Sequence, residues 1–443
     1  MDGLPQPLLL QILSRLDKSA DVARCRVAYK AFDAVFPGLR SINLRWSNWA
    51  SINRRSFMTV LLNLISKLEI VESIRIDIVG KPIPDDGSYR LNEDFVVEWL
   101  SRVSGSLKSL SIYDLDFQFP RNLLFLISDS CHNLVNLQLR DVWLCVGNLN
   151  HMPKLTSLTL EDLYLEDEHL NEMNKCFPNL QVLKLSGVGG LQHPMIHFLN
   201  LKIFFWQDFL KGLPSLTLIT PNLITLKFVC DNPPPVYIEA PMLSHFHLNA
   251  YSNADTFFMV KKFENLKTIW LRAFHIGVLL SIFPITETVE TLTLDSEPHP
   301  SREFRDSEFT LGKVLAVFPN VTSMRINLGA WLELEAWLDR KSCKKRKKAK
   351  TTCQFRREGL KLKSICVDLK LVDPSVTFSA VACVLDQCAG LSNFSLIINS
   401  DVTSPVFESF RSKCMARWPG LEWRWGIRTK YTKFSWITEG SSV

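Results

Sequence analysis

Apolar residues recur along most of this 443-residue chain in a fixed six-residue figure, apolar-x-x-apolar-x-apolar. It stands at Leu107-Leu110-Ile112, Leu134-Leu137-Leu139, Leu155-Leu158-Leu160, Leu180-Leu183-Leu185 and Leu201-Phe204-Trp206. It continues at Leu223-Leu226-Phe228, Leu243-Phe246-Leu248, Leu266-Ile269-Leu271 and Val289-Leu292-Leu294. Looser copies are Val71-Ile74-Ile76, Val321-Met324-Ile326, Leu362-Ile365-Val367 and Leu391-Phe394-Leu396. From Leu107 the steps are 27, 21, 25, 21, 22, 20, 23 and 23 residues, lengthening to 32, 41 and 29. Apolar residues two apart predict a short strand with one buried face. Proline stands two places before the figure at Pro153, Pro178, Pro221, Pro241 and Pro319, with Pro419 near the end. Because proline cannot continue a helix, each one stops the outer segment just before the next strand. "EDEHLNEMNKCF" and "VTFSAVACVLDQC" suit helices in those outer segments, whereas the shortest repeats leave room for a loop or a 3₁₀ turn.

A single coil of this kind cannot bury its apolar edge, but stacked coils bury it continuously. An ordinary α/β protein would not give so many near-equal steps. The expected fold is therefore α/β: a solenoid over residues 46–427, with a curved parallel β-sheet and an irregular or helical convex side. It resembles the leucine-rich repeats in an irregular form, without their regular asparagine ladder. "GLEWRWGI", Gly420 to Ile427, is expected to be its last strand, with Trp423 and Trp425 on its faces, and 428–443 a weakly ordered C-terminal tail.

The first 45 residues follow another pattern. Pro5 and Pro7 occupy the first turn of a predicted helix, where proline is tolerated. Leu8, Leu9, Ile12, Leu13 and Leu16 form a stripe along it. "DKSAD" breaks that helix, with Ser19 as a candidate cap and Asp21 at the positive end of the next one. Val22, Cys25, Tyr29 and Phe32 follow at helical spacing until Pro37-Gly38. A unit this small buries too little apolar surface to stand alone. It must dock on the repeats, on another protein, or on both.

The two segments "LPQPLLLQILSRL" and "DVARCRVAYKAF" resemble the F-box. Leu4, Pro5, Leu8, Ile12, Leu16, Asp21, Val22, Arg26, Val27 and Lys30 match its usual form. Tyr29 departs from it where a small residue is usual, and Phe32 replaces a common tryptophan. An F-box followed by such repeats resembles the plant F-box/LRR-repeat proteins. That resemblance implies a substrate receptor of an SCF (Skp–cullin–F-box) ubiquitin ligase, non-catalytic itself. Its helices would bind a Skp-type adaptor, and through it cullin, using Leu4, Pro5, Leu8, Leu9, Ile12, Leu13, Leu16, Val22, Cys25, Val27, Lys30 and Phe32. The repeats would hold a protein substrate. The alternative is a non-ligase scaffold whose N-terminal helices only cap the stack.

Composition narrows the remaining classes. With 47% hydrophobic and 22% charged residues the chain is expected to fold, and it has no apolar run long enough for a membrane span. Eleven cysteines spread singly suit thiols in a reducing compartment, cytoplasmic or nuclear. The net charge of +6 is concentrated in "KSCKKRKKAK", Lys341 to Lys350, whose seven cations leave the rest near neutral. No broad basic field for nucleic acid is present. This run falls in the longest gap between strands, so a basic loop is expected over about 339–358. Lys344, Lys345, Arg346, Lys347 and Lys348 form a candidate nuclear-import signal; an anionic contact site and a plain solvated insertion remain the other readings. No phosphate-binding loop, H-E-x-x-H or C-x-x-C motif occurs, so no cofactor, metal or catalytic residue is assigned.

Strand positions between the apolar ones should face the concave surface. Among them Phe205, Lys227, His245, His247, Trp270 and Arg272 cluster on successive coils, and Trp and Arg are enriched in binding hot spots. These form the candidate substrate patch. A shifted register would bury Trp270 or Phe205 instead. The basic cluster of Lys227, Arg272 and Arg325 is too sparse for an inositol-phosphate cofactor.

Overall fold

The computed structural model describes residues 4–47, 54–79, 91–115, 118–208, 214–231, 234–250, 258–260, 263–296, 309–345, 361–388, 390–399, 404–428 and 434–436. The chain forms two compact units, Met1–Leu223 and Ile224–Val443.

The first unit opens with helices α1 (Gln6–Ser14), α2 (Ser19–Ala28) and α3 (Lys30–Val35), three where the spacing predicts two. Tyr29 is extended, with φ −150° and ψ 118°, and this breaks the second predicted helix. Ser19 does not cap α2; its hydroxyl accepts from the Asn43 amide at 3.0 Å and ties the helix to the first strand. Leu9, Leu13, Val22, Phe32, Val35, Phe36 and Leu39 form the buried core, with Leu64 and Leu68 packed against it. Leu64 belongs to helix α4 (Arg54–Lys67), so the helical segment docks on the first repeat.

Parallel strands then follow at each predicted figure. In the first unit they are β1 (Ser41–Ser47), β2 (Ser73–Val79), β3 (Ser109–Asp114), β4 (Asn136–Arg140), β5 (Ser157–Glu161), β6 (Val182–Ser186) and, after β7 (Met195–Ile196), β8 (Ile203–Asp208). β1 is an addition to the predicted strands, although Leu39, Ile42 and Leu44 repeat the same figure and are buried. Helices α5 (Glu93–Val103), α6 (Leu123–Ser130) and α7 (Asp167–Cys176) fill the longer outer segments. Where the segments shorten, a second layer of short strands replaces the expected loops or 3₁₀ turns: β7 pairs in parallel with β9 (Leu216–Ile219).

The second unit continues with β10 (Thr225–Cys230), β11 (Val236–Glu239), β12 (His245–Ala250), β13 (Phe258–Val260), β14 (Thr268–Ala273), β15 (Thr291–Ser296), β16 (Ser323–Ile326), β17 (Ser364–Leu369), β18 (Asn393–Asn399) and β19 (Glu422–Arg428). β11 and β13 form the outer layer; the rest pair in order in one parallel sheet. Its helices are α8 (Ile276–Ile282), α9 (Leu311–Val317), α10 (Leu328–Lys345), α11 (Pro374–Leu385) and α12 (Ser404–Arg417). Three predictions need correction. α10 carries 339–345 into a helix, so the basic loop does not begin there; residues 346–358 lie outside the described residues. β19 is not terminal, because β20 (Phe434–Trp436) adds an antiparallel strand inside the expected tail. Trp423 and Trp425 share one face of β19, stacked at 5.3 Å, since residues two apart point the same way.

The coils are joined by a repeated backbone device. One carbonyl just before each strand accepts two consecutive amides from the next coil: Val135 from Thr156 and Ser157, Thr156 from Gln181 and Val182, Lys267 from Glu290 and Thr291. An asparagine ladder accompanies it, placed before the strands. Asn133 Nδ2 donates to the Gly105 carbonyl at 2.9 Å, Asn179 to Pro153 at 2.8 Å, Asn200 to Pro178 at 3.0 Å and Asn222 to Leu199 at 2.8 Å. In the second unit Asn265 donates to Pro241 at 2.8 Å and Asn320 to Glu287 at 2.7 Å. This ladder differs from the regular one of the leucine-rich repeats, which stands after the strand figure and is not expected here. Its signal is present in the sequence: each asparagine immediately precedes the first apolar residue of a figure, as in Pro178-Asn179-Leu180.

Candidate functional site

The helical segment divides its apolar residues between two jobs. Leu9, Leu13, Val22 and Phe32 are buried in its own core and hold the segment together. Leu16 and Cys25 are partly covered against that core. Leu4, Leu8 and Ile12 remain exposed, at 39%, 45% and 41%, and Val27 stands at 90%. Residues four apart lie on one side of a helix, so Leu8 and Ile12 make an apolar edge along α1, and Leu4 is exposed just ahead of the extended Pro5 that precedes the helix. Pro5 and Lys30 are also exposed. Of the twelve residues expected to contact an adaptor, these six are available.

The two departures from the F-box pattern are accommodated inside the segment. Tyr29 meets Phe32 edge-on at 5.8 Å. Arg26 lies over the Phe36 ring at 3.8 Å and its Nε donates to Asp33 at 2.7 Å. The short α3 is thereby fixed against α2.

The predicted patch falls into two parts. Phe205 lies on β8 of the first unit, half-buried, with Lys184 opposite it on β6. The other five residues share the sheet of the second unit. Lys227, His247 and Trp270 occupy one row across β10, β12 and β14, and the row continues through Thr293, Arg325, Cys366, Ser395 and Arg424. Arg272 lies one row further on, beside Asp295. The register is the expected one: Phe246, Leu248, Ile269 and Leu271 are buried, whereas Trp270 and Arg272 are half-buried and His245 is exposed.

His247 packs against Trp270 with ring centroids 3.6 Å apart. Burial, with the Lys227 charge opposite, pushes the His247 pKa down to about 4. The imidazole is therefore neutral near pH 7 and extends the indole as an aromatic surface. Beyond it the face is ionic. Arg272 approaches Asp295 at 3.7 Å, and burial still holds the Asp295 carboxyl above its ordinary range. Asp368 receives both Arg325 at 3.2 Å and Arg428 at 2.7 Å. Sequence reasoning missed Asp368 and Arg428, which meet only because β17 and β19 flank β18 in the sheet.

No group of three or more metal-ligating side chains occurs among the described residues. His193 Nδ1 lies 2.8 Å from Ser215 Oγ, but Asp167 accepts from the His193 main-chain amide, so no carboxylate in this set orients the ring as nucleophilic catalysis requires. Burial raises the thiols of Cys131, Cys388 and Cys414 to about 12, which leaves them packing groups. No helix among the described residues is long and apolar enough to cross a membrane. Of the import-signal candidates, Lys344 and Lys345 end α10, and Arg346, Lys347 and Lys348 lie outside the described residues.

A helical segment with one apolar edge uncovered, joined to stacked strand-and-outer-segment coils, defines an F-box-type unit on a leucine-rich-repeat solenoid. The F-box/LRR-repeat protein At4g29420 of Arabidopsis thaliana is 32% identical over 462 aligned positions, spanning 99% of this chain and 100% of the relative. The chain therefore belongs to the F-box/LRR-repeat proteins. A second relative, the F-box/LRR-repeat protein At4g14103 of Arabidopsis thaliana, is 26% identical over 240 positions, 46% of this chain and 61% of its own length. No family model matches the chain. A chain from the crystal structure of the Rad7 and Elc1 complex in yeast aligns over 95% of this chain and 88% of its own at 13% identity; its TM-score of 0.28 is too low to establish a common fold.

Proposed function

We propose that this protein is the substrate-recognition subunit of an SCF ubiquitin ligase. The F-box helices bind a Skp-type adaptor, and through it cullin, while the repeats hold a protein substrate in the cytoplasm or nucleus. The observation that carries this reading is the apolar edge of Leu8 and Ile12 on α1, left uncovered, with Leu4 and Val27 also exposed in the same small unit, while Leu9, Leu13, Val22 and Phe32 are packed into its core. An adaptor covering that edge in a contact of about 800 Å² per partner would bury it as folding buries a core. A segment serving only as a cap would have no use for it.

The test is the double variant Leu8→Asp/Ile12→Asp. Ile12 with Leu16 would be a poorer choice, because Leu16 packs on the internal core. The variant is expected to lose co-purification with a Skp-type adaptor while keeping its circular dichroism and thermal midpoint. Adaptor binding equal to that of the native chain overturns the proposal, as does recovery of the native chain from cells without adaptor or cullin.

A further inference from the structure

Resting on the substrate-receptor reading, we propose that the open sheet face of the second unit takes an extended acidic segment of the substrate, its apolar anchor on Trp270 and its carboxylates at Arg325 and Arg428.

The anchor end rests on Trp270 and His247. Their rings are in contact and half-buried, and the imidazole carries no charge near pH 7. An apolar or aromatic side chain of the ligand therefore meets a flat aromatic surface there. Two strands further along the row stands Arg325.

At that end, two guanidiniums converge on one carboxylate. The Arg325 and Arg428 side chains are 35% and 40% exposed, whereas the Asp368 they share is only 5% exposed. The trio has a formal charge of +1, with its anion underneath and its cations at the surface. Arg424, on the same row as Arg325 and exposed, adds a further cation beside its partner Glu422. An approaching carboxylate meets guanidinium N–H donors first, and planar guanidinium suits it geometrically.

Spacing selects an extended ligand. Adjacent strands lie about 4.8 Å apart, so Trp270 and Arg325 are separated by roughly 10 Å. Extended chain advances about 3.3 Å per residue and its side chains alternate, so the acidic residue that faces the same way at this reach stands about four positions from the anchor. A helical ligand would cover the same distance in about seven residues at 1.5 Å each, and this pattern separates the two.

The experiment selects a display library of random dodecapeptides on the full chain held in complex with its adaptor. Enriched sequences are expected to carry Asp or Glu about four positions from a Leu, Phe or Trp, and their binding is expected to weaken with salt. In Arg325→Gln/Arg428→Gln, which keeps a donor toward Asp368, the acidic preference should fall at least tenfold; Trp270→Ala should lose the anchor preference. Adaptor binding, monitored in the same samples, should not change in either variant, so failure of this face is distinguishable from failure of the receptor reading. Enrichment without an acidic bias, an acidic residue about seven positions from the anchor, no enrichment, or an acidic bias that survives in the double glutamine variant overturns the proposal.

Discussion

Glu333 is fully buried on α10, and its two carboxylate oxygens accept from the main-chain amides of Ile276 at 3.0 Å and Gly277 at 3.1 Å. These amides begin α8 and have no partner within their own helix. Lys313 holds the same short helix from another side, donating to the Gly277 carbonyl at 2.8 Å. Replacing Glu333 by alanine removes two charge-assisted hydrogen bonds of about 1.5–3 kcal/mol each and leaves two buried donors, so a loss of about 3–6 kcal/mol is expected. Glu333→Gln keeps one acceptor oxygen and turns an amide donor toward the other N–H, so about half that loss is expected. Against a typical stability of about 5–15 kcal/mol, the alanine change is large. Because repeat stacks are held by neighbour contacts, the loss should concentrate around α8 rather than spread evenly. Urea unfolding of the full chain gives the magnitude, and hydrogen exchange at Ile276 to Ile282 gives the location. An alanine variant within about 0.5 kcal/mol of the native chain, with unchanged exchange in α8, would refute the assignment of Glu333 as the holder of that helix.

Gly329, in the first turn of α10, lies so close to the β15 end that a Cβ there would meet the Ser296 carbonyl oxygen. Gly329→Ala must displace backbone, and a loss of about 3 kcal/mol or more is expected in thermal unfolding. His247 carries a pH signature: its folded pKa, lowered first by burial and then by Lys227 to about 4, lies below the ordinary 6.5. The unfolded chain therefore takes up the proton first as pH falls, and stability should be lost between about 6.5 and 4. His247→Gln should remove that part of the loss, measured as the difference between the two thermal midpoints across the pH range; parallel curves would contradict it.

The inner strands from β2 to β19 were legible because each figure fixes period and burial together. Leu158 and Leu160 must share a face, and a register slip of one would expose both. The outer strands were not: Val236 and Ile238 alternate with Tyr237 and Glu239, but four residues give too little pattern to separate strand from loop. The break at Tyr29 carries no proline or glycine to announce it. At the adaptor edge, the stripe was readable but its division was not. Leu8 and Leu9 are neighbours of similar chemistry, and only the packing of α1 against α3 decides which half is covered. In the second unit the row Lys227, His247, Trp270 followed from alternation alone. Asp368 escaped because β17 lies 41 residues beyond the preceding figure and its partner Arg428 sits two strands further on.

The paired-amide carbonyls and the asparagines ahead of the strands determine where length can change. The carbonyls fix the entry point of each inner strand on the coil before it and the asparagines reinforce it where they occur, so alignment across the sheet is set before the outer segment begins. That outer segment is then free to be a helix, a short strand or a long excursion, provided the chain returns to the next entry point. Steps of 20 residues and of 41 coexist in one chain for this reason. Insertions should be tolerated between the end of one strand and the asparagine of the next, where loop closure grows costlier only slowly with length. A single residue inserted between Asn179 and Val182 would instead turn the side chains of β6 to the opposite face of the sheet.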